Sequence, residues 1–126
     1  GRGEVEDARA ALEWLDQEYR DLPLWACGFS FGARVALALG CQQVPVDRIV
    51  AVGLPVKDPA RDARPYAQCI REKIFIHSTR DEFGPKELLE RFVALLPGPK
   101  RLLWVEAADH FFSDALDSFE EAVTRI

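Results

Sequence analysis

Methionine is missing from this chain altogether, and in 126 residues there are only two histidines, two tyrosines and three cysteines. Each scarcity excludes something. Cys27, Cys41 and Cys69 are odd in number and have no metal-ligand spacing, so the expectation is reduced thiols in a cytoplasmic setting, with neither a disulfide framework nor a metal site. Two histidines leave only His77 and His110 as candidate imidazole bases. The longest apolar stretch, Leu22 to Cys41, is interrupted by Pro23, by glycines and by Arg34, and makes no spanning helix. Lys and Arg number 16 against 21 Asp and Glu, a net charge of −5, and the basic residues are scattered without a block alternating with aromatics. A phosphate backbone therefore finds no footprint, and neither nucleic acid nor a membrane is expected as partner.

What remains is an ordinary globular balance, 48% apolar and 29% charged, long enough for one domain with a real core. Val5, Ala8, Leu12, Leu15 and Tyr19 recur at helical intervals and stop before Pro23. On the other face Glu4, Glu6, Asp7, Glu13 and Asp16 read as a solvated surface. Leu24 to Phe29 reads as a buried strand, Phe31 to Leu39 as a helix ended by Gly40, and Arg48 to Leu54 as a β-branched strand. Residues 55–72 hold Pro59, Pro65 and many charges, and read as an irregular segment. Lys73 to His77 is again strand-like. Pro85 suits a first helical turn, Leu88, Leu89, Phe92, Val93 and Leu96 form its buried face, and Pro97-Gly98-Pro99 ends it. Arg101 to Val105 is the last strand, and Leu116, Phe119, Val123 and Ile126 mark a closing helix. The alternation predicts a three-layer α/β/α domain with a mostly parallel sheet of about four strands.

Gly28-Phe29-Ser30-Phe31-Gly32 stands at the first strand-to-helix junction. A serine there occupies a strained turn, its hydroxyl pushed above the sheet with free helix N–H groups behind it, and side chains at Gly28 and Gly32 are expected to collide with their neighbours. Downstream, one strand breaks at Ser78-Thr79-Arg80-Asp81 and the last runs into Ala108-Asp109-His110. Serine, then acid, then histidine is the order of an acyl-transfer triad.

These segments resemble the α/β-hydrolase family, and within it small bacterial predicted hydrolases related to dienelactone hydrolases and serine aminopeptidases. The likeness rests on Gly28 to Gly32, on Ile76-His77-Ser78-Thr79-Arg80-Asp81-Glu82, on Ala108-Asp109-His110-Phe111-Phe112, and on Gly3 to Ala8 with Trp14-Leu15 upstream. It spans the whole chain, 1–126, as one hydrolase-like domain, but only the second half of the family's fold. The implied architecture is a truncated α/β-hydrolase lacking the first strands and the loop that supplies one of two oxyanion N–H groups. The chain is accordingly expected to be a fragment, a processed product or a shortened homologue. Residues 55–72 fall where the family often places its substrate entrance.

The resemblance implies an esterase-like serine hydrolase acting on a small ester, thioester or amide through an acyl-enzyme, without a cofactor. Ser30 would attack the acyl carbon, His110 shuttle the proton, Asp81 orient the imidazole, and the backbone N–H of Phe31 face the oxyanion. Each residue also has a plainer reading. Ser30 could mark a glycine-rich turn without chemistry, and Glu82 or Asp109 could serve as the acid in place of Asp81. His77, inside an apolar strand, reads as a hydrogen-bonded core histidine. Cys27 reads as a small core residue, and Trp25, Trp104, Phe111 and Phe112 as packing. A different class of function is a noncatalytic binding or assembly module. The strand Leu24 to Phe29 would then present an unpaired apolar edge to a partner chain or a second copy.

Overall fold

Four strands and five helices alternate along the residues that the computed structural model describes, 2–126. They are α1 (Arg2–Glu18), β1 (Trp25–Phe29), α2 (Phe31–Gly40), β2 (Arg48–Val52), α3 (Pro59–Ala63), β3 (Glu72–Ser78), α4 (Lys86–Ala94), β4 (Lys100–Val105) and α5 (Leu116–Val123). The segment 55–72 is more ordered than its prolines suggest. The Asp58 side chain caps α3 by accepting from the Arg61 amide, and a 3-10 turn, Arg64–Tyr66, follows.

The sheet is parallel throughout, in the order β1-β2-β3-β4. Parallel neighbours require a crossover, and the intervening helices supply it. Side chains alternate between two apolar clusters on opposite faces. Ala26, Ile49, Ala51 and Phe75 point toward α1, α2, α3 and α4, whereas Val50, Ile74, Ile76 and Val105 meet Ala122 and Phe119 of α5. The sheet is thus the middle of three layers, as the alternating pattern predicts. The α1 face is covered only in part: Leu12 is buried, but Leu15 and Tyr19 are exposed.

Register decides where function can sit. Phe29 lies opposite Val52, Val52 opposite Ile76, and Ser78 opposite Val105, which brings the C-terminal strand ends to one edge. Three backbone bonds extend the ladder just past those ends: Ser30 N to Val52 O at 2.8 Å, Gly53 N to Ile76 O at 2.9 Å and Thr79 N to Val105 O at 3.0 Å. All three sequence-predicted side chains leave the sheet at this edge, where open parallel sheets form their ligand crevices.

Two expectations about cysteine are corrected. Cys41 and Cys69 form a disulfide, with Cα atoms 5.3 Å apart. Cys41 caps α2 and Cys69 precedes β3, so pairing of β2 with β3 brings together thiols separated by 28 residues. An odd count hid one bridge and one free thiol, and cysteine usage no longer argues for a reducing compartment. Closing a loop of that length stabilises by about 3–4 kcal/mol through the unfolded chain. Cys27, the free thiol, is exposed on β1 and not a core residue. Beside the bridge Lys73 is fully buried, its ammonium donating to Cys69 O at 2.6 Å and Arg71 O at 2.7 Å. Burial, then the nearby Lys100 charge, pushes its pKa down.

The two glycines flanking Ser30 prove unequal. A Cβ on Gly28 would lie 2.0 Å from Gly32 O and 2.8 Å from Ala33 N, so the strand end and the helix start could not meet. A Cβ on Gly32 would touch nothing within 4 Å, and the expected collision there is absent. Gly28→Ala should therefore destabilise by about 2–3 kcal/mol or more, because backbone must shift. Gly32→Ala should stabilise by about 0.5–1 kcal/mol through helix propensity. Thermal or denaturant unfolding of the two variants against the parent checks both signs.

Candidate active site

Ser30 has φ 58° and ψ −116°, a left-handed backbone that costs a non-glycine residue about 1–3 kcal/mol. Its surroundings impose that conformation. The Ser30 amide is tied to Val52 O, its carbonyl accepts from Ala33 N at 3.0 Å, and Gly28 permits the close approach beneath it. The side chain is left free of any helix-capping bond.

Instead the hydroxyl lies 2.9 Å from Nε2 of His110. Nδ1 of the same ring lies 2.7 Å from Oδ2 of Asp81. An ionised carboxylate only accepts, so Nδ1 carries the proton and Nε2 is the acceptor for the serine hydroxyl. Asp81 Oδ1 accepts the amides of Phe83 at 2.8 Å and Gly84 at 2.9 Å, so both carboxylate oxygens are engaged. Asp81 and His110 are 3% and 2% exposed, which keeps water from competing for their bond. The three sequence-predicted residues, 29 to 80 positions apart, thus form one hydrogen-bonded chain.

The rival acids are placed elsewhere. Asp109 accepts from the amides of Phe111 and Ser113 and from the Ser113 hydroxyl, shaping the loop that carries His110. Glu82 accepts the His110 backbone amide at 3.3 Å and so steadies the loop without reaching the ring. Three aromatic rings surround the imidazole, Phe29 at 5.0 Å, Phe83 at 4.7 Å and Phe111 at 5.0 Å between centroids. All three are exposed. They give the site an apolar rim, a role that reading Phe111 as packing missed, whereas Phe112 is buried in the α5 cluster. Phe83 follows the acid in the turn Asp81-Glu82-Phe83-Gly84-Pro85, and its ring is not singled out from the sequence.

His77 sits directly beneath, buried at 1% exposure in β3. Its Nε2 lies 2.6 Å from Gly84 O, and since a carbonyl only accepts, Nε2 is the protonated nitrogen. The same nitrogen is 3.5 Å from Asp81 Oδ2. His77 therefore braces the turn that presents Asp81. Its Nδ1 is buried without a hydrogen-bond partner among the described residues, and its ring stands edge-on to Trp104 at 5.7 Å. Burial pushes its pKa down, outweighing the Gly84 carbonyl and the Asp81 charge, which favour the protonated form. At neutral pH His77 is a neutral donor.

Phe31 opens α2, a position whose amide has no intrahelical acceptor and which carries the positive end of the helix dipole. No group of His, Cys, Asp and Glu among the described residues could hold a metal ion. Among the described residues, too, no helix is long and apolar enough to cross a membrane.

Comparison with known proteins agrees with this fold. Residues 4–124 match the family described as "Alpha/beta hydrolase domain". The structure of an alpha-beta serine hydrolase homologue from Coxiella burnetii is similar with TM-score 0.84 at 29% identity, over 98% of this chain and 58% of that one. Dienelactone hydrolase from Anabaena variabilis shares the fold, with TM-score 0.76 at 18% identity over 96% of this chain and 56% of its own. An uncharacterized protein of Rickettsia prowazekii is 28% identical over 130 residues, 98% of this chain and 55% of that protein. The chain thus spans little more than half the length of these three.

Because the unfolded chain protonates His77 more readily than the folded one, its contribution to stability is complete above pH about 6.5 and declines as pH falls below that value. A glutamine can donate to Gly84 O without titrating. Between pH about 7.5 and 5.5, the Tm of His77→Gln should fall less than that of the parent, by up to the equivalent of about 1.4 kcal/mol per pH unit. Parallel slopes by thermal unfolding would rule out a buried neutral His77.

Proposed function

The chain belongs to the α/β-hydrolase family, and from that premise we propose that it is a serine hydrolase whose Ser30, His110 and Asp81 cleave a small acyl substrate. The observation that carries the reading is the unbroken chain from Ser30 Oγ through both nitrogens of His110 to Asp81. As Ser30 Oγ attacks an acyl carbon, its proton passes to Nε2, and the imidazolium is stabilised by the Asp81 carboxylate. The oxyanion of the tetrahedral intermediate is met by the Phe31 amide at the start of α2. Collapse expels the leaving group, which takes the proton from Nε2, and leaves an ester on Ser30. Water, deprotonated by the same nitrogen, then releases the acid and restores the hydroxyl. No cofactor enters this cycle. It suits esters, thioesters and amides alike, with α3 and the following 3-10 turn as a wall of the substrate entrance. One oxyanion donor from a second segment is typically worth about 100- to 1000-fold in turnover, so the rate of this chain alone depends on whether such a donor is supplied.

A second reading has its own observation. β1 has a ladder partner on one side only among the described residues, and Trp25, Cys27 and Phe29 along it are exposed. Beside them runs an apolar groove lined by Leu15 of α1 and Phe31 and Val35 of α2. Such an edge suits a noncatalytic module that binds a partner chain or a second copy.

A fluorophosphonate probe separates the two. Hydrolase chemistry requires stoichiometric labelling of the folded protein, abolished by Ser30→Ala and slowed by about four orders of magnitude in Asp81→Asn, which misplaces the imidazole tautomer. Folded protein that takes up no probe would leave the binding module standing.

A further inference from the structure

Asp81 is held between two histidines, and the proposed cycle uses only one of them. Its Oδ2 lies 2.7 Å from Nδ1 of His110 and 3.5 Å from Nε2 of His77, and none of the three residues is more than 3% exposed. The second contact is too long for a full hydrogen bond. The shorter bond of His77 runs to Gly84 O, 2.6 Å away, and Gly84 is itself tied to the acid, its amide donating to Asp81 Oδ1 at 2.9 Å. One residue of the turn thus transmits the grip of His77 to one carboxylate oxygen, while His110 holds the other. Gly84 has little room to move. A Cβ there would lie 3.0 Å from both Cε1 and Nε2 of His77 and 2.5 Å from Leu54 O, so the turn rests directly on the imidazole.

The ring is fixed in its turn from the β4 side. His77 lies opposite Trp104 in the sheet register, the indole stands edge-on at 5.7 Å, and Lys86 Nζ of α4 lies 5.3 Å from the indole centroid. Nδ1 of His77 is buried without a hydrogen-bond partner among the described residues. An unpaired buried nitrogen is a cost that a packing residue need not carry. An apolar side chain would avoid it, but would take the Nε2 donor away from Gly84 O and with it the hold on the turn.

We infer that His77 is a positioning residue for the proton transfer: it locks the Gly84 peptide and, through it, sets the Asp81 carboxylate against Nδ1 of His110. The inference rests on the serine-hydrolase reading for its kinetic consequence, whereas the hydrogen bonds it invokes are measurable without turnover. Without the lock the turn is free to rotate the carboxylate, and a misplacement of about 1 Å costs up to about 100-fold in rate. The loss falls on kcat and spares KM, because a side chain buried at 1% exposure touches no substrate.

The test has a spectroscopic and a kinetic arm. In the first, NMR of the nitrogen-labelled chain at neutral pH assigns the tautomer of both rings and follows the Nδ1 proton of His110 as a low-field resonance. His77 should carry its proton on Nε2, and the His110 resonance should persist in His77→Gln, which keeps a donor, but move upfield or vanish in His77→Phe. A His77 protonated on Nδ1, or a His110 resonance indifferent to His77→Phe, overturns the inference. Should His77→Phe not fold, the tautomer in the parent and the resonance in His77→Gln decide, a bare Nε2 or a lost resonance counting against it. In the second arm, with p-nitrophenyl acetate, His77→Phe should lower kcat by about 10- to 100-fold with KM within about twofold of the parent, and His77→Gln should recover most of that loss. In an Asp81→Asn background, read by the rate of fluorophosphonate labelling, His77→Phe should cost nothing further, since the group it positions has been replaced. Losses that multiply in the double variant, or a loss confined to KM, overturn the inference. A chain whose His110 resonance responds as expected, but which neither cleaves the ester nor takes up the probe, keeps the positioning role and sinks the hydrolase reading alone.

Discussion

Everything at the site depends on the level ending of four parallel strands. Pairing of Phe29 with Val52, Val52 with Ile76 and Ser78 with Val105 delivers Ser30, Asp81 and His110 to one edge of the sheet, although they lie far apart in the chain. A slip of one residue in any pair would turn each strand's inward side chains outward and move its loop off the edge. The register is held by apolar packing on both faces, where Ile49, Ala51 and Phe75 face one helical layer and Val50, Ile74 and Ile76 face α5. The hydrogen-bonded chain of Ser30, His110 and Asp81 is thus positioned by residues that take no part in it.

Backbone strain accompanies the presentation of the Ser30 hydroxyl. Ser30 alone in the strand-to-helix turn takes a left-handed backbone, and its amide bond to Val52 together with the bare Cα of Gly28 makes that conformation the one that fits. Behind the histidine, the turn that carries Asp81 is held by dense hydrogen bonding. Asp81 spends one oxygen on two backbone amides and the other on His110, His77 ties the same turn down through Gly84, and Glu82 holds the amide of His110 itself. The Asp81 and His110 side chains are therefore held in place before any substrate arrives, which the proposed proton transfer requires.

The elements were readable because their signals are local. Alternating strand and helix patterns, a glycine-flanked serine, Pro85 at a helix start and Pro97-Gly98-Pro99 at its end all act within a few residues. The serine, acid and histidine were nominated as a set by their order along the chain and by the family resemblance, not by a local signal. Where the reading failed, the controlling contact was distant. Cys41 meets Cys69 only because β2 and β3 pair, Cys27 is exposed because no described residue covers that side of β1, and a side chain would have room at Gly32 but not at Gly28, where the start of α2 packs against the strand.

Residue types and their succession along the chain were enough to specify a parallel α/β sandwich, since hydrophobic period and turn chemistry are short-range, and the family's order of serine, acid and histidine nominated Ser30, Asp81 and His110. Tertiary packing alone chose Asp81 over Glu82 and Asp109, and set His77 to bracing a turn. It also gathered Phe29, Phe83 and Phe111 around the imidazole. Distances between side chains from different strands depend on register and on which faces are buried. Neither is written in any one segment.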